Sequence, residues 1–289
     1  MCCDGRVSDI DTDPASARAV AEQLAAEAAA FVRRRRTEVF DGAGGSDQDG
    51  AVRAKSTPTD PVTVVDTETE RLLRNRLAEL RPGEPILGEE EGGPEGADDG
   101  RLTWVLDPID GTVNFVYGIE AFAVSVGVQR GGVSVAGAVA DVAAGAVYSA
   151  ALGRGAQVTR DGQTTALRCS AATSLSMALV GTGFSYQPED RRRQGAVMAA
   201  LLPEIRDVRR IGSCALDLCM VAAGRLDAYY EDGVHVWDWA AGALIAAEAG
   251  AVVRAPGQGG PGLMVAAAPG LAAELDEALL RSGLDPRRQ

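Results

Sequence analysis

The spacing of apolar residues in the first third of the chain predicts two amphipathic helices. The first spans Pro14–Arg36 and places Leu24 and Ala28 on one face, as expected for a helix that packs one stripe against a core. The second spans about Thr67–Leu80, with an apolar stripe of Leu72, Leu73, Leu77 and Leu80. Residues 41–51, rich in Gly and Asp, are expected to form a flexible loop between them, and the polar residues 1–13 are expected to be disordered.

The pattern then changes to the two-residue alternation of β-strands. Three alternating, β-branched segments, Phe122–Val128, Val133–Val139 and Gly145–Tyr148, are separated by turns that contain glycine. Consecutive strands joined by short turns predict an antiparallel meander. Gly153-Arg-Gly155, which follows them, is too short for a phosphate-binding loop and is interpreted as a tight turn.

After Cys169 strands and helices alternate, which is typical of an α/β arrangement. The predicted strands are Ala178–Thr182, Asp207–Arg210, Asp227–Glu231, Ala251–Arg254 and Leu263–Ala268. The predicted helices are Pro188–Leu202, Ser213–Ala223, Asp238–Ala249 and Gly270–Arg281. We therefore predict an α/β protein in which an α+β half, residues 14–168, and an α/β half, residues 169–289, share the gap between them as a single compact catalytic unit.

An excess of acidic side chains narrows the classes of function. Lys and Arg together number 28 against 41 Asp and Glu, which gives a net charge of −13 with the single histidine neutral. Such a chain repels nucleic acid and anionic membrane surfaces, so direct binding of either is not expected. In the one run of positive charge, Arg33–Arg36, a solvated helix end is favoured over an anion site.

The cysteine pattern indicates a reducing compartment. The five cysteines are Cys2, Cys3, Cys169, Cys214 and Cys219. They form no CxxC pair and no histidine cluster accompanies them, which argues against a disulfide framework or a structural zinc site. Because there is also no apolar signal core and no apolar run of the ~18 residues that a membrane span needs, a cytoplasmic protein is expected.

The stretch Trp104-Val-Leu-Asp-Pro-Ile-Asp-Gly-Thr112 carries the most distinctive candidate chemistry. Its apolar start predicts a short buried strand that ends at Asp107, because Pro108 fixes φ and lacks an N–H donor. Asp107 and Asp110 can converge on one point, and carboxylates without basic residues suit a hard cation such as Mg²⁺. The Gly111-Thr112 amides can face an anion. A strand followed by Asp-Pro and Asp-Gly turns, with no metal, is the alternative.

Other acidic residues stand beside predicted helices and strands. Asp66 precedes the second helix and Asp238 precedes a later one, so each is consistent with a plain N-cap. Glu89 and Glu90 follow a short strand that begins at Ile86, and a solvated acidic loop explains them equally well. The segment Arg209-Arg-Ile-Gly-Ser-Cys214 places a cation and a glycine before a helix, which suits contact with an anionic or hydroxylated ligand.

Several phosphatase chemistries are excluded by the residues present. His235 is the only histidine, so a phosphatase that uses a pair of histidines is excluded. Asp107 and Asp110 are spaced D-x-x-D, one residue longer than the D-x-D of phosphatases that form an aspartyl phosphate. A protein nucleophile is therefore not expected.

Taken together, these motifs resemble the inositol monophosphatase family, most closely its bacterial SuhB-type members, over about Lys55–Gly250. They are Lys55-Ser-Thr-Pro with Asp66, Gly88-Glu-Glu90, Asp107-Pro-Ile-Asp-Gly-Thr112, Gly212-Ser-x-Ala-Leu-Asp217 and Trp237-Asp238. The combination of Asp-Pro-Ile-Asp-Gly-Thr with a downstream Trp-Asp is highly specific. The resemblance implies a layered α/β/α/β/α sugar-phosphatase fold, dependence on Mg²⁺, sensitivity to Li⁺ and a homodimer.

The resemblance also implies metal-binding and catalytic roles, which lie mainly in the first half. One metal would be held by Glu89, Asp107 and the Ile109 carbonyl, and a second by Asp107, Asp110 and Asp238. The implied catalytic residues are Asp66, Thr112 and Glu89, with Asp66 and Thr112 orienting the attacking water. Two cations ~3.5–4 Å apart can stabilise both the attacking and the leaving oxygen, and they neutralise the phosphate and the acids together. Lys55 is expected to balance part of the carboxylate charge.

For the substrate, the resemblance implies amide contacts to the phosphate and side-chain contacts to a sugar alcohol. The implied binding residues are Glu89, Ile109, Asp110, Gly111, Thr112, Arg209, Gly212, Ser213, Cys214, Glu231 and Asp238. Two features depart from the family pattern: Cys214 stands where alanine is more common, and the 41–51 loop looks like an insertion.

The first hypothesis for function is hydrolysis of myo-inositol 1-phosphate to inositol and phosphate. The same chemistry on histidinol phosphate, fructose 1,6-bisphosphate or a 3′-phosphonucleotide is an alternative. A regulatory binding protein of the transcription machinery is an alternative of another class, since some SuhB-type proteins have such a role. The complete set of Glu89, Asp107, Asp110 and Asp238 favours catalysis, because a protein that only binds has no need of all four.

Overall fold

A computed structural model describes residues 12–41, 52–55, 61–94, 100–257 and 260–286. The predictions for residues 1–11 of the N-terminal segment, for residues 42–51 of the glycine-rich loop, and for Cys2 and Cys3 lie outside the described residues. So does the Ser-Thr-Pro part of the Lys55 motif. No helix among the described residues is long and apolar enough to cross a membrane.

The helices occur close to where the hydrophobic pattern predicts them. They are α1 Pro14–Arg36, α2 Val64–Leu80, α3 Thr112–Tyr117, α4 Pro188–Leu201, α5 Cys214–Ala222, α6 Val236–Glu248 and α7 Ala272–Arg281. Shorter turns are π-helical at Thr37–Asp41 and 3₁₀-helical at Leu175–Met177 and Leu202–Glu204. Of these elements, α3 and the three short turns were not predicted, because segments this short show no clear period.

The strands up to residue 166 are β1 Val52–Ala54, β2 Pro61–Thr63, β3 Ile86–Gly88, β4 Leu102–Asp110, β5 Ala123–Arg130, β6 Val133–Asp141, β7 Ala146–Ala151, β8 Ala156–Arg160 and β9 Gln163–Ala166. Strands β3 to β9 form a seven-stranded sheet in chain order, in which only β3 and β4 are parallel. The antiparallel strands β5, β6 and β7 confirm the predicted meander, and β4, β8 and β9 extend it beyond the prediction. The β1–β2 pair stands apart from this sheet.

The remaining strands are β10 Leu179–Thr182, β11 Asp207–Arg209, β12 Ala228–Val234, β13 Val252–Arg254 and β14 Gly262–Ala267. They form a second sheet in the order β11-β10-β12-β14-β13, parallel from β11 to β12 and antiparallel beyond. Helices α5 and α6 contact both sheets, α1 and α2 cover the outside of the first, and α4 and α7 cover the outside of the second. The layers are therefore α/β/α/β/α, as the resemblance implied.

Glycines in the first sheet let α6 lie unusually close to it. A Cβ atom at Gly137 would come 2.9 Å from the Cα of Ala241, and one at Gly127 would come 2.8 Å from the Cβ of Ala240. Both distances are shorter than van der Waals contact, so only glycine allows this approach. The close contact fixes α6, and with it Asp238 in its first turn, against the sheet that carries Asp107 and Asp110.

Two helices begin earlier than their acidic residues suggest. Helix α2 begins at Val64 with Thr63 as N-cap, and Asp66 is its third residue, whose Oδ2 accepts the Thr63 N–H at 2.9 Å. Helix α6 begins at Val236, and Asp238 accepts the backbone N–H of His235 at 2.6 Å. The N-cap interpretation of both acids is therefore wrong: each occupies the third helical position and bonds back to the cap residue.

Strand β4 does not end at Asp107. It continues through Pro108 to Asp110, with an irregularity in its pairing with β5 between Asp107 and Asp110. Strand β3 pairs with β4 only as far as Leu106 of β4. Pro108 therefore lies at a bulge where neither neighbour needs its missing N–H, which is one of the few places where a sheet accepts proline.

The arginines at the end of α1 join this helix to its neighbours. Arg33 Nη2 donates to the Val142 carbonyl at 2.6 Å, Arg35 Nε to Glu68 at 2.8 Å, and Arg36 Nε to the Phe115 carbonyl at 3.0 Å. The Arg34 side chain is 63% exposed, and Arg33 is exposed as well although its guanidinium group is hydrogen-bonded. The favoured interpretation as a solvated helix end therefore holds for Arg34, whereas the other three guanidinium groups hold the helix in place.

The Gly153–Gly155 segment is a turn, as predicted. Its Gly153 and Gly155 amides donate to the two carboxylate oxygens of Glu248, at 2.8 and 2.7 Å. The amides thus bind the chain's own carboxylate, at the C-terminal end of α6 and away from the acids described below.

Candidate active site

A cavity of about 520 Å³ opens where the end of β4 meets the N-terminal ends of α5 and α6. Among the residues predicted to bind metal or substrate, it is lined by Glu89, Asp107, Ile109, Asp110, Gly111, Thr112, Gly212, Ser213, Cys214, Glu231 and Asp238. Elements far apart in the chain are thus brought to one place. Lys55 also lines the cavity, from the side of the β1–β2 pair.

Seven acidic residues line this cavity, and four of them, Glu89, Asp107, Asp110 and Asp238, are the predicted metal ligands. Burial and the charges of Glu89, Asp110 and Asp238 raise the pKa of Asp107, which is 1% exposed, well above its usual range. Burial raises the pKa of Asp110 to about 7, and burial and the charge of Asp110 raise that of Asp238 well above its usual value. Such a group of carboxylates is stable in the ionised form only with a compensating positive charge.

Hydrogen bonds fix three of these carboxylates from one side. Asp110 Oδ2 accepts the Ser213 hydroxyl and the Ala215 N–H, both at 2.6 Å, at the N-terminus of α5. Asp238 is held by His235 as described above, and Asp107 Oδ1 accepts the Ile109 N–H at 3.1 Å. The bonds to helix N-termini favour the negative charge and orient the carboxylates at the cavity wall.

No three acidic, cysteine or histidine side chains among the described residues converge into a closed set of metal ligands. Instead, the ammonium of Lys55 pairs with Glu89 at 2.7 Å and also with Glu90. Although burial lowers the pKa of Lys55, the charges of Glu89 and Glu90 raise it above its ordinary value. Lys55 is therefore the cation that balances Glu89 here, as the sequence suggested.

Asp66 lies behind the cavity wall and contacts it through Thr112. The Thr112 hydroxyl is 3.2 Å from Asp66 Oδ1 and 3.0 Å from the Ile109 carbonyl. Asp66 is fully buried, and burial raises its pKa to about 7. A hydroxyl that donates to such a carboxylate keeps its oxygen lone pairs available to the cavity.

Gly111 connects the acidic group to the opposite wall. It adopts a left-handed conformation with φ of 96°, and a Cβ atom there would come 3.0 Å from the Gly212 carbonyl. Both features require glycine. The loop after β4 and the segment before α5 therefore approach more closely than any other residue would allow.

The opposite wall carries Glu231, on β12. Its Oε2 accepts the Tyr229 hydroxyl at 2.6 Å, and burial raises its pKa above the ordinary value. A side chain at Gly183, on the neighbouring strand's end, would overlap this carboxylate. Cys214 is buried beside Tyr229, and burial raises the pKa of its thiol well above the usual range, so it is no ready nucleophile.

The structure does not bring Arg209 into the cavity. Its Nη1 donates to Asp207 at 2.7 Å on the exposed end of β11, whereas the next residue, Arg210, lines the cavity. Successive side chains of an extended segment point to opposite sides, so only one of the two arginines can face the site. The alternation of side chains alone does not show which of the two arginines faces the site.

Other lining residues were not predicted. Phe184–Gln187, Asp190, Asp232–Val234, His235, Trp237 and Pro261 complete the wall. The rings of His235 and Trp237 stack with centroids 4.7 Å apart and planes 4° from parallel. The loop after β10 has no charge pattern that marks it as part of a site, although the lone histidine beside Trp237-Asp238 is a usable signal.

Comparison with known proteins gives a consistent result. The model of the inositol monophosphatase family matches residues 13–283. An inositol-1-monophosphatase, SuhB, of Mycobacterium tuberculosis is 66% identical over 283 residues, which cover 96% of this chain and 98% of that protein. A Nus factor SuhB of Pasteurella multocida is 39% identical over 227 residues, 76% of this chain and 82% of that protein.

A solved structure agrees with these sequences. Mycobacterium tuberculosis SuhB superposes with a TM-score of 0.81 at 61% identity, over 94% of this chain and 99% of that one. The match extends beyond Lys55–Gly250, where the motifs lie, into the first and last helices. The layered fold, the match of the family model and the two-thirds identity to curated relatives establish that the chain belongs to the inositol monophosphatase family and is an enzyme of its phosphatase class.

Proposed function

We propose that this protein is a Mg²⁺-dependent phosphatase that hydrolyses myo-inositol 1-phosphate to inositol and phosphate in the cytoplasm. The observation that supports it most is the placement of Glu89, Asp107, Asp110 and Asp238 around one cavity beside the Asp66–Thr112 hydrogen bond. The acids supply a site for divalent cations, and the pair supplies a proton acceptor for water.

The donor set fits Mg²⁺. Every candidate ligand is an oxygen, and burial together with the charges of neighbouring acids raises the pKa of Asp107 and of Asp238, which indicates a site short of positive charge. One ion would be held by Glu89, Asp107 and the Ile109 carbonyl, and a second by Asp107, Asp110 and Asp238. When bound, such ions polarise a phosphoryl group and lower the pKa of water. Lys55 would then give up its contact with Glu89.

Thr112 and Asp66 orient and deprotonate the attacking water. The Thr112 hydroxyl donates its proton to Asp66 Oδ1, so that its oxygen can accept a proton from water in the cavity. Asp66, whose pKa is about 7, can hold that proton at neutral pH. Glu89, which also lines the cavity, would accept a second hydrogen bond from the water.

Recognition of the substrate is divided between the two walls. The Gly111 and Thr112 amides hold the phosphate, while Glu231 accepts hydroxyls of the sugar alcohol together with the Gly212–Cys214 segment. Asp238, beside Trp237, contacts the hydroxyl next to the phosphate. Arg210 replaces Arg209 as the cation of this wall, because it is the arginine that lines the cavity. We also propose that Li⁺ inhibits the enzyme and that it works as a homodimer.

The proposal is tested by phosphate release from a panel of esters with and without Mg²⁺. Inositol 1-phosphate should give a higher kcat/KM than histidinol phosphate, fructose 1,6-bisphosphate or a 3′-phosphonucleotide. Asp107→Asn keeps the side-chain size but removes the shared ligand, so turnover should collapse while Tm is retained. Phosphate release that is independent of Mg²⁺, or near-normal turnover of Asp107→Asn, would overturn the metal assignment.

A regulatory role is the second candidate, because a relative that is 39% identical bears the name of a Nus factor. The same panel separates the two. A protein that releases no phosphate from any ester, with all four acids present, would favour binding over catalysis.

A further inference from the structure

Glu70 is a buried carboxylate that the proposed chemistry leaves unused. It lies on α2, one helical turn after Asp66, and is fully buried on the face that also carries Leu73 and Leu77. A carboxylate in such a place needs hydrogen-bond partners for both oxygens. Both oxygens have them.

The partners of Glu70 belong to the turn that carries Glu89. Glu70 Oε2 accepts the Glu90 N–H at 2.8 Å, and Oε1 accepts the Glu91 N–H at 3.0 Å. Arg74, one turn further along α2, donates from Nε to Glu70 Oε1 at 2.8 Å. One side chain of the helix thus satisfies two successive amides of the turn.

The same turn is closed by further bonds. Gly88 and Gly92 exchange N–H···O bonds of 3.1 Å in each direction, and Arg74 Nη2 donates to the Gly92 carbonyl at 2.5 Å. The Glu89 amide donates to the carbonyl of Leu106, on β4, at 3.1 Å. A Cβ atom at Gly88 would overlap the Glu70 carboxylate, so only glycine allows the turn to come this close to α2.

We propose that Glu70 is a positioning residue for Glu89. It holds the turn 88–92 against α2, and this keeps the Glu89 carboxylate at the wall of the cavity. This inference rests on the proposed role of Glu89 as a metal ligand. Lys55 contacts Glu89 from the cavity side and can leave when a cation arrives, whereas Glu70 holds the backbone behind it.

The effect of losing Glu70 follows from its two accepted bonds. Without the carboxylate, the Glu90 and Glu91 amides lose their buried acceptor, while the bonds between Gly88 and Gly92 and the bond from Glu89 to Leu106 keep the turn closed. Groups that orient metal ligands typically contribute a factor of about 10–100 to metal affinity. The loss should therefore appear first in metal binding.

The test compares two Glu→Gln variants on the same helix. Glu70→Gln keeps the volume but replaces one acceptor oxygen with an NH₂ group, which then faces another donor. Glu79→Gln is the control, because Glu79 pairs with Arg76 in an exposed i,i+3 contact of α2 and is far from the turn. Mg²⁺ affinity is measured by calorimetry without substrate, alongside Tm and kcat at saturating Mg²⁺.

We expect Glu70→Gln to weaken Mg²⁺ binding by about 10–100-fold, with kcat largely restored at saturating Mg²⁺, and Glu79→Gln to match the wild type. A lower Tm with unchanged Mg²⁺ affinity would overturn the inference, since it would indicate a merely structural role. If Glu70→Gln does not fold, Gly88→Ala decides: it displaces the Glu70 carboxylate without removing it, and wild-type Mg²⁺ affinity there would also overturn the inference. A wild type that binds no Mg²⁺ would instead overturn the proposed function.

Discussion

At the scale of single residues, Asp66 joins the stability of a helix to the chemistry of the site. Its Oδ2 accepts the backbone N–H of Thr63 at 2.9 Å and also the Thr63 hydroxyl, while its Oδ1 faces Thr112 at 3.2 Å. One carboxylate therefore completes the capping box of α2 and provides the proposed proton acceptor. A useful substitution of Asp66 removes the proton acceptor and keeps the capping bond.

Asp66→Asn is expected to lower kcat by about 10²–10⁴-fold, the usual contribution of a general base. The amide oxygen can still accept from Thr63, so Tm should change little. The amide NH₂ then faces Thr112, whose hydroxyl loses Asp66 as an acceptor and keeps the Ile109 carbonyl. Measurement of kcat beside Tm checks both statements.

Thr112→Ala tests the other member of the Asp66–Thr112 pair. It should lower kcat too, and the double variant should lose less than the product of the two losses, because the residues act as a unit. An unchanged kcat in Asp66→Asn would leave Asp66 with the capping role alone.

The choice between Arg209 and Arg210 shows what a single residue's sequence context cannot determine. The motif predicts that a cation before α5 faces the site. In the structure this cation is Arg210, whereas Arg209 pairs with Asp207 outside the cavity. The two positions differ only in which side of an extended segment they occupy. That side is set by the pairing of β11 with β10, a contact between residues 179–181 and 207–209.

At the scale of elements, the helices that carry Asp66 and Asp238 begin with an acid in their third position. The Thr63-x-x-Asp66 spacing is a capping-box signal that was present in the sequence. For α6 no such signal exists, because His235 is not a favoured N-cap residue, and it is the backbone N–H of His235 that donates to Asp238. The continuation of β4 through Pro108 was equally unpredictable, since a bulge depends on the partner strand.

The close packing of α6 against the first sheet predicts the effect of filling the space at Gly137. Gly137→Ala places a Cβ atom against the Ala241 backbone, which cannot rotate away as a side chain could. Overpacking of this kind costs about 1–3 kcal/mol, so Tm should fall by several degrees. Because α6 carries Asp238, the half-saturating Mg²⁺ concentration should rise as well.

Gly195→Ala is the control for that experiment. Gly195 lies in α4, and a Cβ atom added there would have nothing within 4 Å, so alanine should raise Tm through helix propensity. If Gly137→Ala retained both Tm and Mg²⁺ response, the close approach of α6 would not determine the position of Asp238.

At the scale of the whole molecule, the layers were predictable and the site only partly so. Helical and strand periodicity is local, so α1, the β5–β7 meander and the alternation after Cys169 follow from the sequence. The cavity depends on the two sheets sandwiching α5 and α6, which no local pattern specifies. Glu70 illustrates this: it lies on the buried stripe with Leu73 and Leu77, but only the fold shows what it holds.

The same packing makes the metal-free protein sensitive to pH. Burial raises the pKa of Asp66 and of Asp110 to about 7, against an ordinary value of 3.8. Asp217 adds a buried carboxyl group with neither oxygen hydrogen-bonded within the described part of the chain, and burial raises its pKa well above the usual range. Between about pH 4 and pH 7, the native state therefore holds protons that the unfolded state has released.

The stabilisation by Mg²⁺ should therefore depend on pH. A carboxyl group whose pKa is raised by folding stabilises the native state fully below its unfolded pKa, and this contribution is lost as pH rises through its folded pKa. With chelator present, these groups should make the protein more stable at about pH 5.5 than at about pH 8. Mg²⁺ requires ionised ligands and competes with protons, so the increase in Tm on adding it should be larger at the higher pH.

The decisive quantity is the difference in Tm with and without Mg²⁺ at each pH, because titrating groups distant from the cavity cancel in that difference. Asp107→Asn should reduce it at the higher pH, since it removes the ligand proposed to bridge the two cations. Glu79→Gln should leave it unchanged, because that exposed side chain lies outside the cavity. An increase in Tm on adding Mg²⁺ that is equal at both pH values, or larger at the lower one, would contradict the inference that the buried carboxyl groups of the cavity take up cations in place of protons.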